Sequence, residues 1–261
     1  MNTIKKILIP VDFSESSLAA IKYVAGMSKN DSSVKCDLIY IAPKGTSDEE
    51  KATIKGKLEE LKTQYFNPVQ ISSDVYIKFG ELNNILLTVK EKLEVDLIIM
   101  GTAGATDEDR ESRTVKLLEV ADCPVLVIPQ SIDQFELKNI ALALDHKQID
   151  DSSSLGVLHD IARWYDAKIH LLTVDRENGK AQGAIGKNAD TLEYYLDTLD
   201  YHHSFAKNSD IELGLRSYVD EKNIDILAIM PRNHAKNMEP SEGRLTKILA
   251  LHSTKPLLVI D

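Results

Sequence analysis

The stretches "KKILIPVDFSESSLAAIKYV" (residues 5–24) and "KNIALALDHKQIDDSSSLGVL" (residues 138–158) decide the fold. Each is a short apolar run ending in an aspartate, then a polar turn, then a helical pattern. Asp12 and Asp145 stand 133 residues apart. The correspondence continues in the same order. "EVDLIIMG" (94–101) answers "NIDILAIMP" (223–231), with Asp96 and Asp225 separated by 129 residues. "DCPVLVIP" (122–129) answers "TKPLLVID" (254–261), with Pro124 and Pro256 separated by 132. Three pairs at a nearly constant offset mark two copies of one unit. The copies are expected as domains over 1–130 and 137–261, joined near "PQSIDQFE" (129–136).

Within each copy strand and helix alternate. Runs such as "KILIPV" and "DLIIM" are continuously apolar, as strands buried on both faces of a parallel sheet must be. Helices show 3.6-residue periodicity, as in Leu82, Ile85, Leu86 and Val89. The first copy reads as strands 6–12, 35–42, 70–78, 95–100 and 124–129, with helices 15–29, 49–65, 81–93 and 112–121. The second reads as strands 138–145, 167–174, 200–204, 224–230 and 255–260, with helices 151–164, 182–199, 209–222 and 243–252. Ser14 and Ser16 are expected as caps of the first helix. Right-handed crossovers turn this order into α/β layers, two doubly wound sheets of five parallel strands. Ligands of such sheets bind beyond the carboxyl ends of the strands. Asp12 and Gly101 belong at that edge.

The totals narrow the function classes. The net charge is −10, with 31 basic and 41 acidic residues. That field opposes non-specific contact with nucleic acid and with anionic membrane surfaces. No apolar run approaches the length of a membrane span, and no secretory leader is expected at the start. The two cysteines, Cys36 and Cys123, form no CxxC and are expected as small buried residues. A cytoplasmic protein is expected.

The strand "ILIPVDFSESS", the "DLIIMG" run that opens a GxxG at Gly101 and Gly104, and the closing "CPVLVIP" together resemble the universal stress protein family. Two copies in one chain resemble its tandem members. The resemblance implies an adenine nucleotide alpha hydrolase-like fold, each sheet ordered 3-2-1-4-5, the halves paired antiparallel through their last strands as a pseudo-dimer. Such pairing would hide two apolar edges. It also implies an adenine nucleotide, ATP or AMP with magnesium, as ligand. Asp12, Gly101, Gly104, Ser112 and Thr114 match the family's binding positions. Glycines let backbone approach phosphate, and a following helix adds its N–H groups.

The chain departs from the family pattern at two places. The family spaces nine residues between GxxG and the last glycine; here six residues, 105–110, intervene and Glu111 stands in the glycine's place. With Asp107, Glu108 and Asp109 nearby, a triphosphate meets like charge, each contact costing roughly 1 to 4 kcal/mol at 4 Å. In the second copy GxxG has become Pro231-Arg232-Asn233-His234, and proline removes a donor. Gly243 remains, followed by Arg244 and Thr246; Arg232, His234, Lys236 and Arg244 form a basic loop. His202 and His203, adjacent on a strand, point to opposite faces and make a poor metal pair. The glycine-containing "GKAQGAIGK" (179–187) follows no strand and lacks GK[ST], so it reads as a loop. "PVDFSESS" carries neither SGGxDS nor HIGH, the loops of adenylating relatives. No Ser/His/Asp constellation or HExxH motif is present, so the expectation is a stress-response or signalling module rather than an enzyme. The alternative is a protein-interaction scaffold that binds no nucleotide. Protein partners are not specified by the sequence, and a monomeric pseudo-dimer or a homodimer is expected.

Overall fold

The computed structural model describes residues 4–27, 34–104, 114–118, 121, 123–132, 134–144, 155–175, 190–230 and 242–260. Ten strands are described: β1 (Lys6–Pro10), β2 (Lys35–Ala42), β3 (Val75–Phe79), β4 (Leu97–Thr102), β5 (Val125–Pro129), β6 (Asn139–Ala143), β7 (Lys168–Asp175), β8 (Tyr201–Lys207), β9 (Ile226–Ile229) and β10 (Leu257–Val259). They form one sheet in the order β3-β2-β1-β4-β5-β10-β9-β6-β7-β8. Each half reads 3-2-1-4-5 from its outer edge inward. All pairings are parallel except β5 with β10, which is antiparallel. The two expected five-stranded sheets are therefore continuous.

Leu126 pairs with Leu258, Val125 with Val259, and Val127 with Leu257. At the repeat offset of 132 these residues are mutual equivalents, so a pseudo-twofold axis passes between Leu126 and Leu258. β5 and β10 are buried along their whole length. Neither is left as an apolar edge on which another chain could pair.

The helices are α1 (Glu15–Met27), α2 (Asp48–Leu61), α3 (Leu82–Leu93), α4 (Leu155–Tyr165), α5 (Ile211–Glu221) and α6 (Glu242–His252), with further helical turns at 114–118 and 190–196. One sheet face carries α1, α2 and α4 over a core that includes Ile7, Ile9, Val24, Leu38, Leu158 and Ile161. The other carries α3, α5 and α6 over Leu8, Ile39, Leu86, Leu172, Leu215 and Leu249. α2 begins at a capping box: Ser47 and Glu50 satisfy each other's backbone N–H. It closes through a π-type turn (Lys62–Phe66) and a 3₁₀ turn (Asn67–Val69), because Pro68 cannot extend it; the strand expected from 70 begins at Val75. β8 runs to Lys207, three residues beyond its expected end.

The repeated aspartates have a structural use. The Asp96 carboxylate accepts the N–H groups of Lys5 and Lys6 at 2.8 and 2.9 Å. Asp225 does the same for Lys138 and Asn139 at 2.7 and 2.9 Å. Each pins the start of its half's first strand. The halves also meet through Asp160 of α4, fully buried, which accepts the Ile4 N–H at 2.9 Å. Tyr23 meets Phe135 edge-on, and Phe135 meets Tyr165 at a tilt, between α1, the connector and α4. Both cysteines are buried and reduced, as expected.

Candidate functional site

The turn from β1 into α1 builds one wall of the site. The Asp12 carboxylate accepts the Ser14 N–H at 3.0 Å and its hydroxyl in a shorter bond, an Asx turn that folds the chain back at the strand end. Ser14 caps α1: its Oγ accepts the Ser17 N–H at 3.2 Å, and its carbonyl accepts Leu18 N–H. Ser16 Oγ lies 3.0 Å from Ser14 Oγ, so three buried hydroxyls cluster at the helix start. Phe13 holds φ at +63°, a left-handed conformation costly for an aromatic residue. Its ring stacks on Tyr40 at 5.3 Å between centroids, and Lys57 lies 5.5 Å above it.

A cavity of about 730 Å³ opens beyond the carboxyl ends of β1, β2, β3 and β4. This is where the strand order reverses, since β1 is followed outward by β2 and β3 and inward by β4. Its apolar side is Val11, Ile39, Tyr40, Ile41 and Pro43; its polar side includes Asp12, Ser16, Ser17 and Thr114. Lys44 and Glu81 face it from the ends of β2 and β3. Volumes of this order suit a small-molecule ligand, with apolar walls for shape and a few polar groups for orientation.

The residues predicted from the sequence separate on this geometry. Asp12, Gly101 and Thr114 line the cavity. Gly104 does not: it faces a second cavity of about 330 Å³ at the seam between halves, with Thr102, Gln130, Ser253 and Thr254. Ser112 and the acids at 107–111 lie outside the described residues, as do Asp145 and the 231–236 part of the basic loop. Gly243 and Arg244 fall in the first turn of α6. Thr246, the equivalent of Thr114, is buried like it.

Gly101 is a glycine for a reason internal to the fold. A Cβ there would stand 1.8 Å from the Ser16 carbonyl oxygen and 2.9 Å from Ser17 N. The first turn of α1 rests directly on the end of β4. Gly104 needs its left-handed φ of +76°, and a Cβ would stand 3.1 Å from the Leu251 carbonyl of α6. Its N–H turns back to Thr102 Oγ1 at 3.2 Å. The two glycines thus serve packing and a cross-seam turn. Sequence reasoning missed Tyr40, Lys44 and Glu81. Their signal is positional: each lies at the carboxyl end of an outer strand.

Among the described residues, no group of three or more His, Cys, Asp or Glu side chains converges as a metal site. Cross-strand His202 and His170 share a face while His203 is exposed, as the strand period predicts.

The model of the universal stress protein family matches residues 3–129. The N-terminal half of this chain belongs to that family. The universal stress protein domain is 28% identical to a universal stress protein of Synechocystis sp. over 134 residues, 48% of this chain and 85% of that protein. The full ten-stranded fold is similar to a universal stress protein from Archaeoglobus fulgidus, with a TM-score of 0.80 at 15% identity over 98% of both chains. It is also similar to the cytoplasmic domain of a prokaryotic cation chloride cotransporter, with a TM-score of 0.60 at 10% identity over 99% of this chain and 96% of that one. A shared architecture hosts different functions, so the site must carry the functional argument.

Proposed function

We propose that the chain is a tandem universal stress protein, with units at 1–130 and 137–261, that acts in the cytosol as a stress-response or signalling module by binding rather than catalysis. Its ligand is an adenine nucleotide held in the N-terminal half. The supporting observation is the cavity of about 730 Å³ at the switch point, in which an apolar, tyrosine-bearing wall faces the Asp12 turn and the hydroxyls of Ser16, Ser17 and Thr114. The base suits the wall formed by Ile39, Tyr40, Ile41 and Pro43, with ribose and phosphate directed to the polar side. Lys44 supplies a cation for phosphate. Asp12 and Glu81 are the wall carboxylates that a nucleotide-bound magnesium ion would meet. A monophosphate suits this sequence better than a triphosphate, because the stretch between Gly104 and Ser112 carries four acids against one arginine.

The second reading is a scaffold that takes no nucleotide. The close packing of Gly101 on Ser16 favours it, because that glycine's close approach is already occupied by α1. Calorimetric titration with AMP and ATP, with and without magnesium, separates the two. Binding of AMP that is weakened by Tyr40→Ala and Lys44→Ala supports the nucleotide reading. No heat at millimolar nucleotide from folded protein leaves the scaffold.

A further inference from the structure

β8 is one end of the ten-stranded sheet, with β7 as its one strand neighbour among the described residues. The ladder with β7 fixes which backbone groups of β8 face outward. The Ile169 N–H donates to the Asp200 carbonyl at 2.8 Å, and the Asn208 N–H donates to the Asp175 carbonyl at 3.2 Å. In a parallel ladder every second residue bonds to the same neighbour. Residues 200, 202, 204, 206 and 208 therefore turn their backbone toward β7. Tyr201, His203, Phe205 and Lys207 turn theirs outward.

The two ends of the sheet are guarded differently. β3, at the other end, has five residues and carries Lys78, and its Phe79 ring lies 5.2 Å from the Lys51 ammonium. Short length and edge lysines discourage pairing with another chain. β8 has seven residues, no proline, and one formal charge, Lys207 at its last position. Exposed apolar side chains gather beside it. Phe205 is 42% exposed; Tyr194 stands open before the strand, and Leu213 in the first turn of α5 after it. Interfaces are enriched in such aromatic residues.

We propose that β8 is a homodimer interface, in which two copies of the chain pair their β8 strands antiparallel about a twofold axis between the two Ser204 residues. Backbone parity and side-chain sequence select this register. Antiparallel strands bond through facing residues that each turn N–H and C=O to the other. About Ser204, His203 meets Phe205 of the second copy and Tyr201 meets Lys207 of the second copy. All four outward residues are then used, on both strands. An imidazole faces a phenyl ring and a phenol faces an ammonium group, both favourable cross-strand pairs. On the other face His202 meets Ala206, and Ser204 meets its own copy. No two like formal charges oppose each other along the strand, although the whole chain carries −10. An axis at His203 would set that imidazole against itself and leave Lys207 outside the ribbon. An axis at Phe205 would leave Tyr201 outside. The same surface serves both copies, so the assembly closes at two.

Sedimentation of the full chain from about 5 to about 200 µM tests this, since a ribbon of this size belongs to the small, weak class of interfaces. The mass should rise from one chain to two and no further. Phe205→Lys, at an exposed position, should weaken association roughly tenfold or more, because it sets two new cations diagonally across the axis. Phe205→Pro should remove the dimer while leaving the circular dichroism of the wild type, because the N–H it deletes faces outward. Amide exchange reads the pairing without any variant. Across the same concentration range the N–H groups of Tyr201, His203, Phe205 and Lys207 should slow, while those of His202, Ser204 and Ala206 are slow throughout. A chain that stays monomeric at the highest concentration overturns the proposal. A strand added by a different protein would leave this chain monomeric and so give that result. A dimer whose outward amides exchange at one rate throughout, or one that Phe205→Lys leaves intact, overturns it equally.

Discussion

Replacing Gly101 by alanine separates a packing glycine from a phosphate-binding one. The new Cβ would lie 1.8 Å from the Ser16 carbonyl oxygen. A carbon–oxygen contact needs about 3.3 Å, so the first turn of α1 must retreat by about 1.5 Å. The obstacle is backbone, which no rotamer change relieves. Overpacking of this kind costs about 1 to 3 kcal/mol and at times more. The same shift strains the Ser14 cap and the Asp12 turn, adding about 1 kcal/mol. A loss of about 2 to 4 kcal/mol is expected, or roughly 5 to 15 °C in Tm for a chain of this size. Urea unfolding followed by circular dichroism measures it, with Gly104→Ala as the control. That control needs only a left-handed alanine and a small adjustment against Leu251, about 1 kcal/mol. If Gly101→Ala remains within about 1 kcal/mol of wild type, the packing account of this glycine is wrong.

Other outcomes follow from particular contacts. Asp160→Ala strands the Ile4 N–H in the core and should cost about 2 to 3 kcal/mol by urea unfolding; a loss under about 0.5 kcal/mol would show that the cross-half bond is immaterial. Asp96→Ala and Asp225→Ala should each cost about 1 to 2 kcal/mol, since each half-buried carboxylate serves two N–H groups. A difference between them above about 1 kcal/mol would break the equivalence. AMP at a hundred times its Kd should raise wild-type stability by about 2.7 kcal/mol, and Tyr40→Ala should cut that gain by about 1 kcal/mol or more at the same concentration. Leu258→Lys places a charge on the pseudo-twofold axis and should unfold the seam; a variant with the wild-type melting curve would contradict the burial of β10.

Much of the architecture is legible in the residues alone. The 129 to 133 residue offsets and the apolar strands imply two like units; the shared seam came from the family resemblance, which two uncharged last strands suit without dictating it. The alternation of His202 and His203 sets their faces because strand period is a local property. The candidate site is only half legible. Asp12 sits where the end of β1 places it and Thr114 where the family's helix start implies, but Gly101 reads the same in sequence whether a phosphate or a helix approaches it. Gly104 points into the seam through a left-handed φ that no neighbouring residue announces. The doubled aspartates, Asp96 and Asp225, are visible as a pair, yet their purpose depends on strand starts some ninety residues away in the chain.

The antiparallel clasp of β5 with β10 joins parts of one polypeptide, so dilution does not release it. The short connector between the halves presents each to the other at millimolar effective concentration. Between free subunits, so short a ribbon would have to be strong and self-complementary on both sides. Here it needs neither property. The halves are free to drift apart in sequence, one keeping a cavity and the other acquiring different side chains, without ever exchanging partners.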